Sequence, residues 1–400
     1  MNKKKVAIIL IVFIAIFLTI MLVVNRDNVE ITNEVGNKSK KSNNLLTMNL
    51  EQTAGAGDYK TVTQSEWPTE GYKFNSELSR CENGSELSWD DVNKKILMSG
   101  VSADKCYVYF DIARFDKLCN TSTLACHVAK LYTGTQGENG IYYHNTSLTN
   151  GAGDNNYRYV GANPNNYICL GSDATTCPDD NLFRIIGVFG DKVKVIKDKS
   201  VVKMHWDTSN YNTWSISSLN TYLNGTYLTS IGTLSDKIDV ATWKVGGNTW
   251  DNISVSTAKE VYDYEIKNPS TTASTGETEY SAKIGLMYVS DYMFAVLQDN
   301  WTLVAYNSND ATKDYRAIKA ENWLYLGSDE YTITRSSKNP ADVFAIYSSG
   351  EVYSYSVSCN SDEPLPCMAY KKYARPSFYL ISSVEYSGGT GTSSDPIRIN

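Results

Sequence analysis

The chain has 400 residues, room for two or three domains, and its 42% hydrophobic and 12% aromatic content is enough for packed cores. A formal net charge of −7 excludes the basic footprint of a nucleic-acid binder and argues against an anionic membrane surface as partner. Only 20% of residues are charged, whereas tyrosine alone contributes 29 and Ser, Thr and Asn are abundant. That profile suits a β-rich surface protein, because strands favour Tyr and Thr and turns favour Asn, Ser and Gly.

Val6 to Val24 carries no charge and is almost wholly apolar. As a helix rising about 1.5 Å per residue it spans roughly 28 Å, one hydrocarbon core. Lys3, Lys4 and Lys5 precede it, and Arg26, Asp27 and Glu30 follow, which predicts a cytoplasmic N-terminus with the bulk of the chain extracellular. The run exceeds the ~7–15 residue apolar core of a cleaved signal peptide, and no A-x-A site follows it, so an uncleaved signal anchor in the cell membrane is expected. The expected organisation is a cytoplasmic tip and transmembrane anchor over 1–27, a polar stalk over 28–57 and a small β module over 58–112. A helix and connecting loop follow over 113–155, and a larger α+β domain fills 156–400.

All eight cysteines lie beyond the apolar segment, on the side where disulfides persist. They fall into four local pairs, Cys81/Cys106, Cys119/Cys126, Cys169/Cys177 and Cys359/Cys367, although eight cysteines permit 105 connectivities. Each short loop closed this way contributes roughly 2.5 kcal/mol, and the longer first one about 3.5 kcal/mol. Zinc is the competing reading, and the absence of any C-x-x-C weakens it.

In the small module, Asn83-Gly84 carries a turn signal, and Lys95 to Met98 and Cys106 to Phe110 read as strands closed by the first disulfide. Thr123 to Tyr132 reads as a short helix, with Leu124, Val128 and Leu131 on one face and Ser and Thr as cap candidates. Gly134 to Gly153 reads as a loop. Leu182 to Phe189 and Lys192 to Ile196 flank Gly190-Asp191, a hairpin signal. Ser217 and Ser218 can cap a helix carrying Leu219, Tyr222 and Leu223, which Asn224-Gly225 is expected to end. A second hairpin is expected from Asp342 to Tyr347 and Glu351 to Ser358 around Ser348-Ser349-Gly350, with Tyr353, Tyr355 and Val357 on one face.

Catalytic signatures are sparse. The three histidines, His127, His144 and His205, occupy neither an H-E-x-x-H motif nor the neighbourhood of a nucleophile, and no G-x-S-x-G elbow or Walker loop occurs. Asp173, Asp179 and Asp180 could contribute to a calcium site, but their spacing fits no EF-hand and reads better as a solvated acidic loop. No catalysis, cofactor or metal is expected.

Asn212 to Asn224 resembles the W…SS-L-x-x-x-L-N helix of an uncharacterised bacterial surface-protein family related to formylglycine-generating-enzyme-like and C-type-lectin-like domains. That family's C-terminal strands and Tyr/Ser-rich hairpin have counterparts in Tyr331 to Ser337, Phe344 to Ser358 and Tyr373 to Leu380. Two departures stand out: Tyr-Thr-Ile-Thr where the family has a Trp-rich strand, and Ala374 where it has Val. The resemblance implies a C-type-lectin-like α+β domain with irregular loops, and adhesion or recognition of a glycan or protein ligand. A formylglycine-generating type of enzyme would instead need reduced Cys359 and Cys367, and a structural envelope protein would need no ligand.

The binding expectation settles on the aromatic run between Trp323 and Tyr386, since large rigid rings interleaved with Ser and Gly suit a binding surface. The ligand-binding candidates are Trp323, Tyr325, Tyr331, Arg335, Tyr347, Tyr353 and Tyr355. The competing reading makes alternate tyrosines one packed face of a sheet.

Overall fold

The computed structural model describes residues 29–31, 45–52, 57–63, 67–68, 72–101, 103–269, 277–357 and 371–399. The chain divides into two compact units, Met1–Leu118 and Cys119–Asn400.

The first unit runs β1 (Val29–Ile31), β2 (Leu45–Glu51), β3 (Tyr59–Val62), β4 (Tyr72–Phe74), β5 (Arg80–Cys81), β6 (Glu86–Asp90), β7 (Lys95–Ser99) and β8 (Lys105–Ile112). One sheet has the order β3-β2-β8-β4 with β5 also on β8, and a second has the order β1-β7-β6. Alternation decides the packing: Cys106, Val108 and Phe110 of β8 and Ile96 and Met98 of β7 are buried, while their sequence neighbours are not. Met48, Leu50, Ile96, Val108 and Phe110 form the core, with Trp67, Phe74 and Trp89 against the Phe110 ring.

The Cys81–Cys106 bridge joins directly paired residues of β5 and β8. The turn at Asn83-Gly84 is held by buried Asp104, which accepts the Asn83 and Ser85 backbone N–H groups at 2.9 and 3.1 Å. Strand β2 falls inside the expected polar stalk. Its Met48 and Leu50 lie opposite Val108 and Phe110 in a parallel pairing, so a short apolar run between polar neighbours is core here.

The second unit contains β9 (Ile141–Tyr143), β10 (Tyr157–Tyr159), β11 (Tyr167–Cys169), β12 (Leu182–Phe189), β13 (Lys192–Lys197), β14 (Val202–Met204), β15 (Ala241–Lys244) and β16 (Glu279–Ala282). It continues with β17 (Ile284–Gly285), β18 (Glu330–Arg335), β19 (Asp342–Ile346), β20 (Val352–Ser356), β21 (Lys372–Ala374), β22 (Ser377–Tyr379), β23 (Tyr386–Gly388) and β24 (Arg398–Ile399). A seven-stranded sheet has the order β17-β22-β13-β12-β10-β9, with β11 also on β12; a five-stranded sheet has the order β14-β21-β18-β19-β20.

Both expected hairpins are present, β12–β13 and β19–β20. Gly187, at a register shift in β12, allows the close approach of β10: a Cβ there would sit 2.0 Å from the Tyr157 carbonyl oxygen. Helix α1 (Leu124–Lys130) is capped by the Thr123 hydroxyl, and α2 (Ser218–Tyr222) by Ser217, whose hydroxyl accepts the Asn220 N–H at 3.1 Å. Asn224-Gly225 does not end the second helix. The chain continues helically through Ser230, and the Asn224 side chain brackets Ile284 by donating to its carbonyl (2.8 Å) and accepting its N–H (2.9 Å). Leu219 and Leu223 thereby reach a core with Trp206, Trp214, Trp243, Tyr331 and Val343.

The expected fold class requires a correction. Among the described residues no helix is long and apolar enough to cross a membrane. Val6–Val24, on which the anchor was expected, lies outside the described residues. The described chain is a β-rich fold in which short helices flank several sheets, and the transmembrane helix is not one of its elements. Disulfides join Cys81–Cys106, Cys119–Cys126 and Cys169–Cys177 as expected. The expected Cys359/Cys367 pair lies outside the described residues.

Candidate functional site

The hairpin β19–β20 ends its sheet and explains where its tyrosines go. The turn Ser348-Ser349-Gly350 closes with the Tyr347 N–H donating to the Glu351 carbonyl and the Gly350 N–H to the Tyr347 carbonyl, both at 2.9 Å. Gly350 has a φ of +108°, which favours glycine. Pairing sets Tyr331 opposite Ala345 and Ala345 opposite Tyr353, while Val343 lies opposite Tyr355. Laterally paired residues share a face, so one row runs from the core at Tyr331 out to the edge strand at Tyr353. Tyr331 is wholly buried, whereas Tyr353 keeps 38% of its surface exposed.

At that edge four tyrosines meet. Tyr353 makes edge-on contacts with Tyr306 (centroids 5.2 Å apart) and Tyr347 (5.9 Å), and Tyr347 meets Tyr355 at 6.0 Å. The Lys372 ammonium stands 3.6 Å from the Tyr355 ring centroid and 4.8 Å from that of Tyr347. Asp329 accepts from Lys372 at 2.7 Å and from the Ser348 N–H at 2.8 Å. Burial pushes the Lys372 ammonium below its usual range despite this partner. Burial alone would raise the Asp329 carboxyl, but Lys372 and the Ser348 N–H outweigh it and hold the group down. The result is a ridge of amphipathic rings with Lys372 packed on Tyr347 and Tyr355 and Arg316 on Tyr306 (5.0 Å).

The seven candidates therefore divide into three places. Tyr347, Tyr353 and Tyr355 come together on the ridge. Tyr331 and Arg335 sit in the interior, where Arg335 donates to the carbonyls of Val245 (2.7 Å) and Glu277 (2.8 Å) and fastens β18 to its surroundings. Trp323 and Tyr325 line a separate cavity of about 410 Å³, together with Tyr167, Arg184, Lys199 and Lys319. The Tyr325 hydroxyl donates to the Ser348 carbonyl at 2.5 Å, in the turn of the ridge hairpin.

In that cavity the buried Arg184 guanidinium lies over the rings of Tyr167 (4.1 Å) and Trp323 (4.8 Å). It donates to Asn166 Oδ1 (2.8 Å), the Pro164 carbonyl (3.3 Å) and Asn163 Oδ1 (3.4 Å), all neutral acceptors. Burial brings it down to about 10. Arg184 is the charged residue within the otherwise apolar run Leu182 to Phe189, a signal that the sequence reading passed over. Lys372, Tyr306 and Asp329 were also missed; no local motif joins them to the hairpin.

Several other titratable groups are internal. Lys194 pairs with Asp291 at 2.5 Å, and Arg158 with Asp154 through bonds of 2.9 and 2.5 Å. Glu265, wholly enclosed, accepts from the Thr334 hydroxyl (2.7 Å) and the Ser290 N–H (3.1 Å). His144 is fully buried with Nδ1 accepting the Ala152 N–H, and His127 stacks on Tyr386 at 3.5 Å. Asp179 pairs with Lys199 at 2.6 Å. Among the described residues the one cluster with metal-ligand spacing is Cys81, Asp104 and Cys106, and its two sulfurs are already joined to each other.

No family model matches the chain, and comparison with curated proteins and with solved structures likewise gives no match.

Proposed function

We propose that this chain is an extracytoplasmic recognition protein that binds a glycan or protein ligand, without catalysis, through the tyrosine ridge of the β19–β20 hairpin. The observation that carries this reading is the meeting of Tyr306, Tyr347, Tyr353 and Tyr355 at a sheet edge over Lys372. Tyrosine offers a large contact area at low conformational cost, and a hydroxyl for hydrogen bonding. Placement outside the cytoplasm is supported by three disulfides, which persist in oxidising surroundings. The glycan-or-protein class follows from the resemblance of Asn212–Asn224 and the C-terminal strands to surface proteins with lectin-like domains.

The test is a binding screen of the full chain, disulfides intact, against arrayed saccharides and purified envelope and host proteins. The reading expects saturable binding to one chemical class. It is contradicted by an absence of saturable binding together with turnover of a substrate.

A further inference from the structure

The cavity beside Trp323 carries a charge imbalance that the ridge does not explain. Its lining holds Arg184, Lys199 and Lys319 against a single acid, Asp198. Lys199 is exposed and shares an ion pair with Asp179, so its charge is partly answered outside the cavity. Arg184 is different: it is 94% enclosed, its hydrogen-bond acceptors are neutral oxygens, and no acid forms an ion pair with it among the described residues. Asp198 favours the Arg184 charge without forming an ion pair and the neutral acceptors satisfy only hydrogen bonds, so burial still disfavours the charge. The bonds engage Nε and Nη2, and the rings of Tyr167 and Trp323 pack against the guanidinium. Nη1 makes no hydrogen bond among the described residues, and this is the edge left for an incoming acceptor.

We propose that this cavity binds a carboxylate-bearing ligand of the acidic-sugar class, its carboxylate seated on Arg184 and flanked by Lys319. A volume of about 410 Å³ suits a small saccharide rather than a bare ion. Tyr325, half-buried, and Leu326, 42% exposed, supply the apolar wall against which the carbon skeleton would rest. The planar guanidinium matches a planar carboxylate, and a charge-assisted hydrogen bond is stronger than its neutral equivalent. The site stands on its own observations, apart from the ridge.

The experiment titrates the full, oxidised chain calorimetrically with digalacturonic acid, with neutral digalactose and with inorganic phosphate. The expected result is binding of the acidic sugar, weakened by salt, with digalactose and phosphate at least about tenfold weaker. Arg184→Met should lose about tenfold or more in affinity. Lys319→Glu, which alters a half-buried residue at the rim, should weaken binding in the same direction and covers the case in which Arg184→Met does not fold. Tyr353→Ala should leave this titration unchanged, which separates failure here from failure of the ridge. The proposal is overturned if no acidic sugar binds at millimolar concentration, or if digalactose or phosphate binds as tightly. Full affinity in Lys319→Glu, or in a folded Arg184→Met, also overturns it and leaves Arg184 as a brace for the 163–166 loop.

Discussion

Glu265 shows how one residue sets a pH dependence. Burial pushes its carboxyl up to about 7, against the opposing pull of the Ser290 N–H and the Thr334 hydroxyl. The folded protein therefore holds this proton more tightly than the unfolded chain, whose glutamates titrate near about 4.3. The contribution of Glu265 to stability is full below that ordinary value and is lost as pH rises through about 7. Asp154 acts in the opposite sense. Burial raises it, but Arg158 wins and holds it well below the usual range, so its contribution is present at neutral pH and is lost in acid. Glu265→Gln mimics the protonated form, because the Thr334 hydroxyl can switch from donor to acceptor. Thermal melts at pH 5 and pH 8 should show the variant losing less stability than the parent across this interval, by up to about 3 kcal/mol. Equal slopes in the two proteins would refute the assignment. None of this was legible in the sequence, where Glu265 is one acid in a mixed Asp-Tyr-Glu-Ile-Lys stretch; its burial arises from contact with residues 25 and 69 positions away.

Local pattern carried more at the scale of elements. The Gly190-Asp191 and Ser348-Ser349-Gly350 turns, the Thr123 and Ser217 caps and three of the cysteine pairs were all readable, because each depends on neighbours in the chain. Strand β2 was not readable, since its burial depends on pairing with β8 across 59 or more positions. The division of the tyrosines was hidden for a related reason: Tyr331 and Tyr353 belong to one row, and only the order of strands makes the first internal and the second an edge residue. Two predictions belong here. Gly187→Ala places a methyl carbon 2.0 Å from the Tyr157 carbonyl oxygen, so β10 must separate from β12. A loss of about 3 kcal/mol or more is expected in denaturant unfolding, and a loss under about 1 kcal/mol would mean the strands can yield. Replacing Cys81 and Cys106 together by serine should cost about 3.5 kcal/mol by the chain-entropy relation. Amide exchange in β5 and β8 should rise accordingly, and unchanged protection there would show the bridge to be dispensable.

For the whole molecule, each unit has its own core, and the chemistry-bearing surface belongs to the second. The ridge and the Arg184 cavity present different chemistries, amphipathic rings on one hand and a buried cation on the other. Away from them, Arg158 with Asp154, Lys194 with Asp291 and Arg375 with Glu330 form buried ion pairs that tie the elements of this unit together. The measurement that bears most directly on recognition by the ridge is the affinity of the full chain for the ligand identified by array, compared with that of a Tyr353→Ala/Tyr355→Ala variant. Both residues lie on the edge strand; Tyr353 is 38% exposed while Tyr355 is half-buried against the core, so the variant should melt at a lower temperature yet stay folded, which a thermal melt checks before affinity is read. Recognition through the ridge predicts a loss of about tenfold or more, as expected for truncating aromatic anchors at a binding surface. Undiminished affinity in the folded variant would contradict it.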